Sequence, residues 1–137
     1  MNPREIAAEQ AQELLAAAAR DEVTFHILRK ASEAPLETTL FHAQQAVEKG
    51  LKAVLVSAGV VFRRTHDLLE LLDLAGAQKI AVPLERTLLA RLAPYAVEFR
   101  YLGTAAPKVS LEEADAAVDA LMAWARLQVE AGKGDSE

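Results

Sequence analysis

Polar side chains that could bind a ligand share one face of a predicted second helix. They are His42, Gln45, Lys49 and Lys52, at positions i, i+3, i+7 and i+10. At about 100° per residue, these four positions fall within roughly 80° of arc. An imidazole, an amide and two ammonium groups on one face can bind an anion, or they can complete a buried hydrogen-bond network. The spacing alone leaves both interpretations open.

His66 lies at the junction between a loop and a predicted third helix, next to Arg63, Arg64 and Asp67. Residues Thr65 to Asp67 can simply cap and begin that helix, where an acidic side chain suits the helix dipole. Alternatively, the exposed N–H groups of the first turn, together with His66 and an arginine, favour a phosphate group. We therefore predict an anion site at this end of the third helix. The other basic side chains expected to contribute are Lys49, Lys52 and Arg100.

The common signatures of catalytic and metal sites are missing. The chain has no cysteine, which excludes disulfides, thiolate nucleophiles and zinc sites that need sulfur. It has no phosphate-binding glycine loop, no dinucleotide fingerprint, no serine-hydrolase elbow and no HExxH sequence. Its three histidines fall on three different predicted elements, so we expect no metal site and no cofactor. Acidic side chains on one face of the third helix are predicted to be solvated: Asp67, Glu70 and Asp73.

Five helices that could position these side chains are predicted from capping residues and from the 3.6-residue period of apolar positions. The first begins at Pro3 after the cap Asn2 and continues to about Ser32, and the second runs from about Leu36 to Ala58 with Gly59 as its stop. The third runs from His66 to about Ala75 with Thr65 as its cap, and the fourth runs from Pro83 to about Leu102 with a kink at Pro94. The fifth follows a capping box formed by Ser110 and Glu113.

These elements predict an all-α fold, an up-and-down antiparallel helical bundle of four long helices and one short helix. Of the 137 residues, 28 are Ala and 20 are Leu, and this excess of helix formers argues against a sheet. A chain of this length holds one core. We therefore expect a single domain over residues 1–131 and a disordered tail over residues 132–137.

The charge and hydropathy of the chain indicate which kinds of molecule it can bind. Residues 49–108 hold nine Lys and Arg against five Asp and Glu, whereas the whole chain has a net charge of −5. An acidic chain argues against a broad nucleic-acid surface, while its basic middle suits a small anion. No run of about 18 apolar residues is present, and neither is the apolar segment of a signal peptide, so we expect a soluble cytoplasmic protein without a membrane partner. The 52% of hydrophobic residues predicts a homodimer or a larger assembly.

Three groups of residues, taken in order, resemble a known family. They are the segment from Phe41 to Leu55, which contains AxQAxEKxxKA when read as a pattern, then Arg64-Thr65-His66-Asp67-Leu68, then Arg100-Tyr101. Together they resemble the HEPN domain family (higher eukaryotes and prokaryotes nucleotide-binding) over nearly the whole chain. The resemblance implies an up-and-down helical bundle, in agreement with the fold expected from capping and periodicity.

The resemblance implies two different activities within the family. Many HEPN members are metal-independent ribonucleases in which an arginine is followed, after four to six residues, by a histidine near the last long helices. Here that spacing from Arg100 reaches only Ala105, Ala106 and Pro107. Arg20 and His26 have the spacing, but they lie in the first helix and roughly 240° apart around it. We therefore expect no ribonuclease site of the standard kind.

The sequence resembles more closely the other branch, which consists of small stand-alone HEPN proteins encoded beside a minimal nucleotidyltransferase and proposed to bind nucleotide or substrate for it. The positions that carry over to this sequence are Gln45, Glu48, Lys49, His66, Arg100 and Tyr101. The family usually has a proline after the Arg-Tyr pair, whereas Leu102 follows here.

Three hypotheses about function remain. The preferred one is a non-catalytic accessory subunit that binds nucleotide or substrate and works with a minimal nucleotidyltransferase, as part of a toxin–antitoxin pair. Its predicted site consists of Gln45, Lys49, Lys52, Arg64, His66, Arg100 and Tyr101. The second is a ribonuclease toxin that uses Arg64, Arg100 and His66. The third is a structural interaction bundle whose polar stripe only completes a buried network.

Overall fold

The regular secondary structure of the described residues is entirely helical. The computed structural model describes residues 1–96 and 109–134. Its helices are α1 (Pro3–Arg29), α2 (Leu36–Ser57), α3 (Leu68–Ala77), α4 (Arg86–Leu92) and α5 (Leu111–Gly134), with a 3₁₀ turn at Ala93–Ala96 directly after α4. No strand occurs in these residues, so the predicted all-α class is confirmed.

Three long helices, α1, α2 and α5, form the core of the bundle. Glu22 forms an ion pair with Arg126, and His26 lies close to Asp115, so α1 runs antiparallel to α5. The α1–α2 loop is short, and Asp21 of α1 contacts both His42 and Lys49. Helix α2 packs on both other long helices and also contacts α3 and the 3₁₀ turn, while α4 packs on α3 and on that turn.

Apolar side chains on the facing sides of these helices are excluded from water. Fully buried large side chains include Phe25, Leu40, Leu51, Leu121 and Met122. Each such side chain contributes about 1.5–3 kcal/mol when it leaves water. On α1 the buried side passes through Ala11, Ala18 and Phe25, whereas Ile27 faces outward and is 64% exposed.

Capping decides several helix ends as predicted. The side chain of Asn2 accepts a hydrogen bond from the N–H of Glu5 at 2.8 Å. Gly59 ends α2 with a φ of 76°, and the N–H of Val60 donates to the carbonyl of Leu55. Because a side chain is strained at positive φ, glycine is the residue suited to this stop.

The predicted start of the third helix is wrong by two residues. Asp67, and not Thr65, is the N-cap, since its Oδ1 accepts from the N–H groups of Leu69 and Glu70 at 3.0 and 3.3 Å. The Thr65 hydroxyl accepts from the N–H of Asp67 instead. Leu68 and Leu71 are both buried as residues of this helix. The helix therefore begins at Leu68, with Asp67 directly before its first turn.

The fourth and fifth helices also differ from their predicted bounds. Helix α4 begins at Arg86, after Glu85 as N-cap, and is only seven residues long. The chain tightens into the 3₁₀ turn around Pro94, because proline lacks the N–H that would continue the α-helical ladder. The predicted end of the fourth helix and the loop at 103–108 lie outside the described residues. Helix α5 continues through Gly134, so residues 132–134 of the predicted tail are helical.

The capping box of α5 gives the fold a pH dependence at acid pH. The Arg91 guanidinium donates to Glu113 Oε2 at 2.7 Å, and the N–H of Ser110 donates to Oε1 at 3.1 Å. These bonds, that from Arg91 foremost, hold the pKa of Glu113 at about 2, well below its usual 4.5. Because this pKa is lower in the folded chain, the stabilisation is complete above about pH 4.5 and is lost as the pH falls towards 2.

We therefore expect Glu113→Gln to flatten the decline in stability between pH 4.5 and 2. Urea unfolding at several pH values across this window measures the effect. The neighbouring variant Glu112→Gln is the matched control, since Glu112 is exposed. If Glu113→Gln follows the wild-type pH profile, the assignment fails.

Candidate anion-binding site

A buried carboxylate on α2 organises the predicted site. Glu48 is only 2% exposed and accepts three hydrogen bonds. The donors are Lys52 Nζ at 2.9 Å, Gln44 Nε2 at 3.0 Å and His66 Nδ1 at 3.0 Å. Gln44 and Lys52 lie one helical turn before and after Glu48, so the helix itself brings these groups together. A buried charge is stable when it is paired and hydrogen-bonded in this way.

His66 links this carboxylate to the surface. Its side chain is 56% exposed, and it lies in the segment just before α3. A carboxylate only accepts hydrogen bonds, so the contact with Glu48 requires the proton to be on Nδ1. The Nε2 atom then accepts a hydrogen bond when the ring is neutral and donates one when the ring is protonated. The same imidazole can therefore serve as a base or as a donor to an anion.

A second polar cluster takes up one of the predicted site residues. Asp21 of α1 is buried, its Oδ2 accepts from Lys49 Nζ at 2.7 Å, and its Oδ1 is 2.9 Å from His42 Nδ1. Lys49 is thus paired with α1, while Lys52 is paired with Glu48 next to His66. The polar face of α2 is divided between two clusters and does not form one site.

Gln45 contacts the Glu48 cluster indirectly. Its Nε2 donates to Gln44 Oε1 at 2.6 Å, and Gln44 in turn donates to Glu48. Both amides are buried. Gln45 therefore fixes the orientation of Gln44. It is connected to His66 only through Gln44 and Glu48.

The two arginines before His66 have different surroundings. Arg63 forms a two-pronged ion pair with Glu70, with Nε and Nη2 both donating to the carboxylate, and this pairing raises the pKa of Arg63. Arg64 is exposed, and no hydrogen bond or ion pair joins it to another residue within 1–96 or 109–134. Arg64 is therefore the guanidinium better suited to an incoming anion.

The N-terminus of α3 does not supply the expected donors. The side chain of Asp67 already accepts from the first-turn N–H groups of Leu69 and Glu70. These two N–H groups are already occupied, so the predicted anion site at this helix end needs other donors. An anion near His66 would depend on side-chain cations, and it would also meet the negative charge of Asp67.

A shallow cleft lies beside the imidazole. It has a volume of about 340 Å³ and is lined by His66, Asp67, Ala90, Ala93, Pro94 and Ala96. Its walls on the α4 side are small and apolar, so they can contact a flat or apolar group while His66 and Asp67 supply polar atoms at the edge.

Comparison with known proteins supports the sequence resemblance. The family model described as HEPN domain matches residues 9–127, which is most of the chain. The chain belongs to the HEPN family. No curated protein and no solved structure gives a match. Within the described residues of this HEPN domain, no helix combines the length and apolar character needed to cross a membrane.

The sequence alone predicted some residues of the two polar clusters and not others. Arg100 and Tyr101 lie outside the described residues. Asp21 and Gln44 were missed, although each interrupts an apolar stripe, Asp21 between Ala18 and Phe25 and Gln44 between Leu40 and Val47. A polar residue within a buried stripe indicates a partner on a neighbouring helix.

Proposed function

We propose that this HEPN domain is a non-catalytic binding subunit that holds the phosphate groups of a nucleotide at His66. The contact between Glu48 and His66 carries this proposal. A buried carboxylate fixes one ring nitrogen at 3.0 Å while the ring itself stays half exposed. Fixing the ring in advance lowers the entropy lost when it binds a ligand.

The charges around His66 support an anion as the ligand. Lys52 already pairs with Glu48 at 2.9 Å, so the negative charge of Glu48 is compensated inside the bundle. When the ring of His66 is protonated, it and Arg64 offer two positive charges to an incoming phosphate, against the single carboxylate of Asp67. Hydrogen bonds between charged groups are about twice as strong as neutral ones. Arg100 and Tyr101 complete the proposed site.

The proposed partners are a minimal nucleotidyltransferase and a second copy of the chain. The sequence resemblance to HEPN proteins encoded beside such transferases supports the first, and a toxin–antitoxin pair is the setting we propose for it. Exposed apolar side chains on the outer faces of α1 and α5 support the second. They are Val23, Ile27 and Leu127, which are 57%, 64% and 71% exposed.

Calorimetric titration with ATP, with and without the transferase, tests nucleotide binding. We expect binding that weakens with salt, because the contacts are ionic. His66→Ala and Arg64→Ala should each weaken it about 10-fold to 100-fold, since each removes a charge-assisted hydrogen bond. Arg20→Ala, which removes an exposed guanidinium from α1, is the matched control and should bind as the wild type does.

Asp67→Asn gives a gain of affinity that a structural cluster would not produce. Asparagine caps a helix about as well as aspartate, so α3 is retained while one negative charge beside His66 is removed. ATP should therefore bind more tightly to this variant. If neither the wild type nor Asp67→Asn binds ATP, alone or with the transferase, the nucleotide site is refuted and the structural bundle is favoured.

The contact between Glu48 and His66 also favours a second candidate function. This candidate is a ribonuclease that uses His66 with Arg64 and Arg100. When Nδ1 donates to Glu48, the neutral ring presents Nε2 as a base. RNA cleavage by the pure protein that His66→Ala abolishes would support this candidate over the binding subunit. We expect no cleavage, because the standard arginine and histidine spacing is missing.

A further inference from the structure

A cluster of metal-ligating side chains lies between α1 and α5, away from His66. Glu22 and His26 are one turn apart on α1, and Asp115 and Asp119 are one turn apart on α5. One ligand atom from each of Glu22, His26 and Asp119 lies within 4.8 Å of the other two. We call these four residues the His26 cluster.

The contacts of the ring are longer than hydrogen bonds. His26 Nε2 is 3.6 Å from Asp119 Oδ1, and Nδ1 is 3.4 Å from Asp115 Oδ1, whereas such bonds are normally about 2.7–3.2 Å. Two ligand atoms of a tetrahedral zinc ion, each about 2.1 Å from the metal, lie roughly 3.4 Å apart. The separation between Nε2 and Oδ1 of Asp119 therefore fits a shared metal ion better than a direct bond.

A buried orphan atom points to the same arrangement. Asp115 Oδ1 is buried without a hydrogen-bond partner, while its Oδ2 is held by Arg29 at 2.9 Å. Metal-binding histidines usually donate their other N–H to a carboxylate, which fixes the ring for the metal. With Nε2 bound to a metal, Nδ1 would carry a proton directed towards this unused oxygen.

We propose that Glu22, His26 and Asp119 bind one divalent transition-metal ion, of which zinc is the best fit, and that Asp115 positions the imidazole. One imidazole and two carboxylates suit zinc or cobalt better than magnesium, which prefers oxygen ligands alone. Water would complete the coordination, since Asp119 is 60% exposed.

Charge also favours a cation here, although an arginine competes for one ligand. The cluster has three carboxylates, and two guanidiniums pair with them, Arg29 with Asp115 and Arg126 with Glu22 at 2.6 Å. Within the described residues of α1 and α5, the carboxylate of Asp119 pairs only with the imidazole of His26. Removal of Arg126 would release Glu22 for the metal.

Titration of the full chain with CoCl₂, followed by competition with ZnCl₂, tests the site. Bound cobalt should give visible absorption bands at one ion per chain, and zinc should displace it. Because Asp119 is exposed, the variant Asp119→Asn should fold normally. This variant and His26→Gln are each expected to weaken cobalt binding by more than about 10-fold. Arg126→Ala should strengthen it, whereas a purely structural ion-pair network would only lose thermal stability.

The controls are Glu9→Gln on α1 and Glu130→Gln on α5, both exposed acids outside the cluster. They should bind cobalt as the wild type does. Cobalt bands that persist in both Asp119→Asn and His26→Gln, or the lack of any bands in the wild type, would overturn the proposal. Because these residues are separate from His66, either result leaves the nucleotide site to be judged by its own titration.

Discussion

Replacing Gly50 by leucine is expected to destabilise the fold by about 3 kcal/mol or more. Gly50 lies in α2 where α5 approaches closely, and a Cβ atom added there would be 2.6 Å from Leu121 Cδ1 and 3.3 Å from Met122 Sδ. A leucine side chain cannot fit without separating α2 from α5. Since a whole domain is stable by only about 5–15 kcal/mol, much of the chain should unfold. Urea unfolding followed by circular dichroism measures this loss.

Two other glycine variants test whether the loss of stability comes from the close contact at Gly50. Gly76→Leu changes a helical glycine with no atom near its missing Cβ, so the better helix former should leave stability unchanged or raise it slightly. Gly50→Ala should have a small effect, because the tip of Leu121 can rotate away. If Gly50→Leu unfolds at the same urea concentration as the wild type, the contact between α2 and α5 is misassigned.

Replacing Glu48 by leucine is expected to cost about 3–5 kcal/mol. The change leaves Lys52, Gln44 and His66 without their shared acceptor, and the ammonium of Lys52 is largely buried. Glu48→Gln should cost less, since its amide oxygen still accepts. Thermal and urea unfolding of both variants provide the comparison.

A double variant separates the charge from the packing. Glu48→Leu with Lys52→Met removes both partners of the pair and should recover part of the lost stability, because an apolar pair often replaces a buried ion pair at little cost. Equal stability of Glu48→Leu and Glu48→Gln, or no recovery in the double variant, would contradict the central role of this carboxylate.

Local signals predicted the helix class and those helix ends that a cap or a glycine marks clearly. Asn2, Gly59 and the Ser110–Glu113 box act within a few residues of the chain, so sequence alone was sufficient for them. The start of α3 was ambiguous because Thr65 and Asp67 are both good caps, and burial of Leu68 decided between them. The fourth helix was predicted too early because Pro83 suits a first helical position, whereas Glu85 precedes the helix in the fold.

The candidate sites depend on contacts between distant segments, which periodicity does not supply. Lys49 and Lys52 share a face of α2, but Lys49 forms an ion pair with Asp21 of α1 and Lys52 forms one with Glu48. The expectation of no metal site rested on histidines in separate elements. The metal site proposed above depends instead on Glu22 and His26 of α1 lying close to Asp119 of an antiparallel α5, an arrangement that only the packed bundle brings about.

The central claim is that a nucleotide phosphate binds at His66, and proton NMR of the histidine rings during an ATP titration tests it most directly. The chain has only three histidines, and His26 and His42 contact carboxylates of other clusters, so they serve as internal controls. We predict that ATP shifts the ring signals of His66 and leaves those of His26 and His42 in place. Unchanged His66 signals at saturating ATP, or equal shifts of all three rings, would contradict the claim.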